Sequence, residues 1–345
     1  MKQYLLPEGG RFYKANMHMH TNISDGRMSV EETKQVYMDK GYSIVAYTDH
    51  EVLVPHNDLS DENFLAITSY EISLNDGWPS GFQHNRCYHL NLYAKDKNAT
   101  VSSVFAYKYF WGDIEHAKDY VSEECSAVDY RRHYSVEGVN DIIRKATDDG
   151  FLVCFNHPVW SNQRFPDYSG LKGLWAIEVY NAGCNRGGYP ESTQPFDDLL
   201  HENEVLFPIA SDDAHSVGGC GHGWIQIKAD ALEYDTVMGA LERGDFYSST
   251  GPEIYDLYIE DGIVHMTCSD CYEVFLRTER RFTRVARENA NGPVNEVAFN
   301  INTFIEDSKK EKAMRYRPWF RLELFADKGK SAQTRAYYVD ELTEA

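Results

Sequence analysis

The chain has 345 residues, 42% hydrophobic and 26% charged, enough for one large domain with a small one beside it. Its 54 acidic and 34 basic residues leave a formal net charge of −20, which argues against extended nucleic-acid binding or a grip on an anionic membrane, though not against one small phosphorylated substrate. No stretch approaches about 18 uncharged apolar residues, the opening MKQYLLPEGGRFYK lacks the apolar core of a signal peptide, and the seven scattered cysteines read as reduced thiols, so a cytoplasmic protein is expected.

The first strand-like run, Phe12–Met19, ends in His18-Met-His20. Residues i and i+2 of a strand point the same way, so both imidazoles can grip one object, as a transition-metal ion requires. Asp25 follows in Ser24-Asp25-Gly26. Ser29–Lys40 predicts a helix, with Ser29 and Glu32 as a capping box and Gly41 after its end. The run Tyr42–Thr48 leads to Asp49-His50, Phe64–Tyr70 leads to Glu71, and Tyr88–Tyr93 carries His89. The stretch from about 94 to 150 is too long for a simple crossover and rich in aromatics, including Phe105, Tyr109, Phe110 and Trp111. It predicts a helical insertion over one side of the site, with Val136–Asp149 helical before Gly150. Phe151–Phe155 leads to Asn156-His157-Pro158, and Leu174–Tyr180 leads to a loop holding Arg186. After a helix near Pro195–Asn203, the run Val205–Ala210 leads to Ser211-Asp212-Asp213-Ala-His215 and the glycine-rich Gly218–Gly223 with His222. A helix around Ala231–Arg243 closes this part.

Alternating strands and helices predict an α/β architecture with a parallel sheet or barrel over 1–250. Beyond Gly251–Pro252 the segments become short and alternating, at Ile254–Glu260, Ile263–Cys268, Tyr272–Arg277, Val294–Ile301, Trp319–Ala326 and Ala336–Val339. They predict a small all-β sandwich domain over 251–345. Cys268 and Cys271 have C-x-x-C spacing, but no second pair follows, so a zinc ribbon is not expected.

Six of the 13 histidines and three carboxylates therefore fall at or near strand ends: His18, His20, Asp25, His50, Glu71, His89, His157, Asp213 and His215. In a parallel barrel such ends converge on one face. Buried without partners these groups would be costly, and a metal cluster removes that cost. Mixed nitrogen and oxygen donors suit Zn, Mn or Fe, and nine donors exceed what one ion takes, so two or three divalent ions follow with one carboxylate bridging. His84 competes with His89, which is preferred because Leu-Asn-Leu-Tyr continues its strand. Spacing to His215 favours Asp213 over Asp212 as a donor, leaving Asp212 as a supporting acceptor. Asp49 reads equally as a partner for His50 or as a turn residue, and Glu178 as an inward carboxylate or a lysine partner. Arg186 either grips a phosphate in a bidentate way or sits in a simple turn, and His222 is a candidate donor to substrate.

These motifs, His18-Met-His20 with Asp25, Thr48-Asp49-His50, Glu71-Ile-Ser, His89-Leu, Asn156-His157-Pro158 and Asp213-Ala-His215, resemble those of the PHP (polymerase and histidinol phosphatase) family of metal-dependent phosphoesterases. The resemblance covers about residues 12–250 and implies a distorted (β/α)7 TIM-like barrel. It further implies one metal on His18, His20, Glu71 and Asp213, a second on Glu71, His89 and His157, and a third on Asp25, His50 and His215. The implied reaction is hydrolysis of a phosphate ester by a metal-bridging water, with no protein nucleophile. An amide or lactone hydrolase with the same cage, or an inactive metal-binding scaffold, are the alternative readings.

Overall fold

The computed structural model describes residues 2–76, 86–202, 204–310 and 316–342. In chain order its strands are β1 (Lys2–Tyr4), β2 (Arg11–Asn16), β3 (Ile44–Tyr47), β4 (Leu65–Asn75), β5 (Cys87–Ala94), β6 (Phe151–Phe155), β7 (Ala176–Asn181), β8 (Phe207–Ser211), β9 (Trp224–Ala229) and β10 (Phe246–Ser249). The C-terminal part adds β11 (Ile254–Glu260), β12 (Ile263–Cys271), β13 (Glu273–Thr278), β14 (Thr283–Arg287), β15 (Val294–Asn300), β16 (Trp319–Ala326), β17 (Lys330–Thr334) and β18 (Tyr337–Tyr338).

The large sheet runs in the order β14-β13-β16-β17-β10-β9-β2-β3-β4-β5-β6-β7-β8. Strands β2 to β4 pair in parallel, as do β6 to β8. An all-parallel set is not observed, because β5 runs antiparallel to both β4 and β6, and β9 runs antiparallel to β2. The long connection between β5 and β6 thus joins antiparallel neighbours and needs no crossover. Just beyond β2 and β8, Met19 bridges Ala214 in parallel, with His20 N donating to Ala214 O and Asp213 N to His18 O, each at 2.9 Å. This tie sets the two richest donor segments side by side.

Helix Val30–Asp39 forms as its capping box dictates, with Ser29 accepting from Glu32 N. Helices Val136–Asp148 and Tyr234–Arg243 bury Ile142, Ile143, Val237 and Leu241 in the core, and Gly244 ends the second at φ 72. The insertion before Val136 is built mainly of 3-10 turns, Tyr107–Tyr109 and Gly112–Tyr120, with one short helix at Glu123–Ser126.

Strands β1, β11, β12 and β15 form a separate antiparallel sheet. Its Ile254, Leu257, Val264 and Met266 share one buried cluster with Val274, Leu276, Phe320 and Leu322 of the large sheet. Among the described residues no helix is long and apolar enough to cross a membrane.

Candidate metal centre

Nine donors converge beyond the ends of β2, β3, β6 and β8 and on β4 and β5. His18 and His20 follow β2, and their Nε2 atoms stand 3.2 Å apart. Glu71, within β4, stands within 3.6 Å of five imidazoles. Its oxygens lie 3.4 Å from His18 Nε2, 3.4 Å from His20 Nε2, 3.2 Å from His50 Nδ1 and 3.1 Å from His89 Nδ1. His157 Nε2 lies 3.6 Å from the same carboxylate. Asp213 places Oδ1 3.4 Å from His18 Nε2 and 3.2 Å from His20 Nε2. Asp25 lies 3.6 Å from His20, 3.7 Å from His50 and 3.5 Å from His215.

These separations can be compared with those around a bound ion. Donors about 2.0–2.2 Å from a tetrahedral ion stand about 3.3–3.6 Å from one another. Six of the eleven separations fall there, four lie at 3.1–3.2 Å, within hydrogen-bond reach, and one is 3.7 Å. Buried Nδ1 atoms of His20 and His50 have no hydrogen-bond partner, an arrangement a bound cation would satisfy. Three groups can each converge on one ion: His20, Asp25, His50 and His215; His18, Glu71 and His157; and His18, His20 and Asp213. His89 is in none of these groups and meets the second only at Glu71, 3.1 Å from its Nδ1.

Local structure explains the placement. Thr21 and Ser24 donate to Asp49 through both backbone and hydroxyl, at 2.7–3.2 Å, and the loop that carries Asp25 is folded by these bonds. Gly26 passes so close to the chain that a Cβ there would stand 2.0 Å from His20 O. His157 and Asp213 adopt φ 27 and φ 50, and Glu51, beside His50, adopts φ 65. Such backbone is strained for residues with side chains and persists only where the surroundings hold it.

Supporting carboxylates fix the rings. Glu178 accepts from His18 Nδ1 at 2.7 Å, which turns Nε2 toward the centre. Asn156 donates to Glu71 at 2.7 Å and Asn181 to Asp213 at 3.2 Å. Asp212 faces away: it accepts from the backbone of Gly221, His222 and Gly223 and from the Tyr37 hydroxyl, tying down the glycine-rich loop. Asp49 likewise serves its turn, accepting from Thr21 and Ser24. Of the two readings of Glu178, the structure has the inward carboxylate, on His18; the partners of Asn156 and Asn181 escape sequence reading because nothing in their spacing announces them.

Charge follows the same geometry. Burial would push Glu71 and Asp213 up, but His18 and its neighbouring imidazoles hold both well below the carboxylate range. Burial, reinforced by His20, depresses His50 to about 3, leaving it a neutral ring with a free lone pair. Burial would also lower His215, yet Asp25 and Asp213 raise it to about 9. Exposure locates the open side: the side chains of Glu71 and His18 are 1% and 0% exposed, Asp213 15%, Asp25 25% and His215 42%.

Arg186 Nη1 donates to Gly218 O, and His222 Nε2 lies 3.2 Å from the same carbonyl. His84 lies outside the described residues.

No family model and no curated protein matches the chain. Solved structures do. A two-domain protein of Bacteroides vulgatus containing a predicted PHP-like metal-dependent phosphoesterase is 14% identical, with 97% of each chain covered and a TM-score of 0.42. A lesion-specific endonuclease of Pyrococcus furiosus is 13% identical over 67% of this chain and 56% of its own, with a TM-score of 0.40. An amidohydrolase of Chromobacterium violaceum with bound sulfate and no metal is 13% identical over 67% and 96%, with a TM-score of 0.38. In its motif series the chain is similar to the PHP family of metal-dependent phosphoesterases, and proteins of that description are among the solved structures that resemble it.

Proposed function

We propose that this protein is a metal-dependent hydrolase that cleaves a phosphate ester of a small molecule. The observation that carries the reading is the donor cluster: five imidazoles and three carboxylates packed at metal-ligand separations, with two buried imidazole nitrogens that have no hydrogen-bond partner. His18, His20, Glu71 and Asp213 would hold one divalent ion. Glu71, His89 and His157 would hold a second, and Asp25, His50 and His215 a third. The parallel bridge between Met19 and Ala214 supports a distorted barrel in which β2 and β8 close on each other.

Bound divalent ions would supply Lewis acidity and a nucleophilic water near neutral pH. The chain's own residues would do the rest. Glu178 keeps His18 in the tautomer that offers Nε2. Strained backbone at His157 and Asp213 aims both side chains inward. Arg186, in the loop after β7, would supply a cationic group that a phosphate needs and a neutral amide or lactone does not, with His222 sharing its Gly218 carbonyl.

The test is metal analysis with a substrate panel. Purified full-length protein should carry at least two transition-metal ions per chain. It should hydrolyse members of a panel of phosphate mono- and diesters, lose activity to a chelator and regain it on adding Mn or Zn. Asp213→Ala should lower both metal content and turnover, by a hundred-fold or more for the latter. Metal-replete protein inert to every ester would end the phosphoesterase reading.

A further inference from the structure

Two tryptophans stand against the donor imidazoles. Trp111, from the insertion, meets His50 with ring centroids 5.0 Å apart and planes at 63°. Trp160, in the turn after β6, lies 5.6 Å from His89 and 4.9 Å from His157. His50 and His89 themselves meet edge to face at 5.9 Å. The four rings therefore form one row, Trp111, His50, His89, Trp160, with an indole at each end.

Both indoles are half-buried and firmly mounted. Trp111 packs against an apolar cluster that includes Ile23, Phe105, Phe110 and Ile114. Trp160 sits in a turn closed by Ser161 N to His157 O at 3.1 Å and Gln163 N to Pro158 O at 3.0 Å. That turn is pinned to β5, where Cys87 N donates to Ser161 O at 3.2 Å and the Gln163 amide donates to Cys87 O. Core filling does not account for Trp160, which belongs to none of the apolar clusters formed by the described residues. An indole left partly in water forgoes hydrophobic stabilisation that full burial would give. Held rigid beside a reaction centre, it offers instead a large flat contact surface that loses little entropy on binding.

The more exposed side of the cluster carries Asp25, Asp213 and His215. Divalent ions held there would draw the anionic end of a ligand. A phosphate drawn to the donors leaves its organic group within reach of an indole. We infer that Trp111 and Trp160 are specificity-determining residues that select phosphate esters bearing a flat aromatic ring close to phosphorus. The inference rests on the phosphoesterase reading above and names the substrate class it acts on.

The experiment compares benzyl phosphate with cyclohexylmethyl phosphate on the metal-replete full chain. Both release a primary alcohol of similar size, so general hydrophobic burial largely cancels and the flat ring remains as the difference. Aromatic pairing beyond area burial predicts a preference in kcat/KM of about 2- to 10-fold for the benzyl ester, seen mainly in KM. Trp111→Leu or Trp160→Leu, which keep apolar bulk, should bring the ratio toward one. Phe at the same position should retain most of the preference. Turnover of both esters without discrimination, or a preference unchanged in both Leu variants, overturns the inference while leaving the phosphoesterase reading intact. Failure to hydrolyse either these esters or the wider panel overturns both.

Discussion

Glu178 lies beneath His18 with both carboxylate oxygens engaged. Oε1 accepts from His18 Nδ1 and the Ser211 hydroxyl, and Oε2 accepts from His157 N and Asn181 Nδ2, each at 3.0 Å. Burial works against its charge, but His18 outweighs burial and keeps the carboxyl below its ordinary range. One side chain thus orients two candidate donors and braces a third through Asn181. Glu178→Gln keeps the volume and removes the charge that fixes the His18 tautomer. Metal affinity at the site His18 shares should fall about 10- to 100-fold, measured by competition with a chelator of known affinity. An affinity within two-fold of the parent chain would show that Glu178 only fills space. The nine candidate donors stand out in the sequence because each sits in a short motif where a strand-like run ends, in the loop after one for Asp25 or within one for His89. Glu178 is legible only in part, because the alternation in Ala176–Asn181 tells which way it points but not what stands opposite. Asp49 shows the same limit: its four bonds to Thr21 and Ser24 depend on how the loop folds back, which spacing does not encode.

At the level of elements, the insertion is bolted to the centre by one ion pair. Arg132 donates to both oxygens of Glu51, at 2.8 and 2.6 Å, and to the carbonyls of Ser73 and Val104. Both side chains are fully buried. Glu51 also accepts from Ser73 N at 3.0 Å, and its own N–H donates to Glu71 O at 2.8 Å. The pair therefore links the segment before Val136 to the residues flanking His50 and Glu71. Removing one partner of a buried pair strands the other, so Arg132→Met should cost about 3–5 kcal/mol in denaturant unfolding. Adding Glu51→Gln should return at least half of that loss. A double variant no more stable than Arg132→Met would mean that the cost lies in packing, not in a stranded charge. The helix Val30–Asp39 and the strand Phe151–Phe155 are read from caps and apolar runs. Lys330–Thr334 is not read, because KSAQT has no apolar alternation and becomes a strand only between two ready partners, β10 and β16.

Across the whole molecule the large sheet runs through the position where the sequence texture changes. Strand β10 lies before residue 250, yet it pairs with β9 on one side and with β17 on the other. Strand β1 opens the chain and pairs with β11. Leu5, Leu6 and Tyr247 belong to the same buried cluster as Phe320 and Leu322. Arg321, wholly buried, reaches Asp197 at 2.9 Å and Glu323 at 2.7 Å, and His201 lies 2.9 Å from Glu279 O. Composition separates the two regions because turn spacing and residue type differ, but pairing across a sheet edge leaves no mark in local pattern. A chain ending at Thr250 would leave β10 with an unpaired edge, expose Leu5, Leu6 and Tyr247, and strip Asp197 of its arginine. Open apolar edges of this kind drive association. The truncated chain should therefore be insoluble or lack a cooperative thermal transition, while the full chain melts cooperatively. Should residues 1–250 fold cooperatively and bind the same number of metal ions, the C-terminal sheets would be an appendage and not part of the framework that holds the centre.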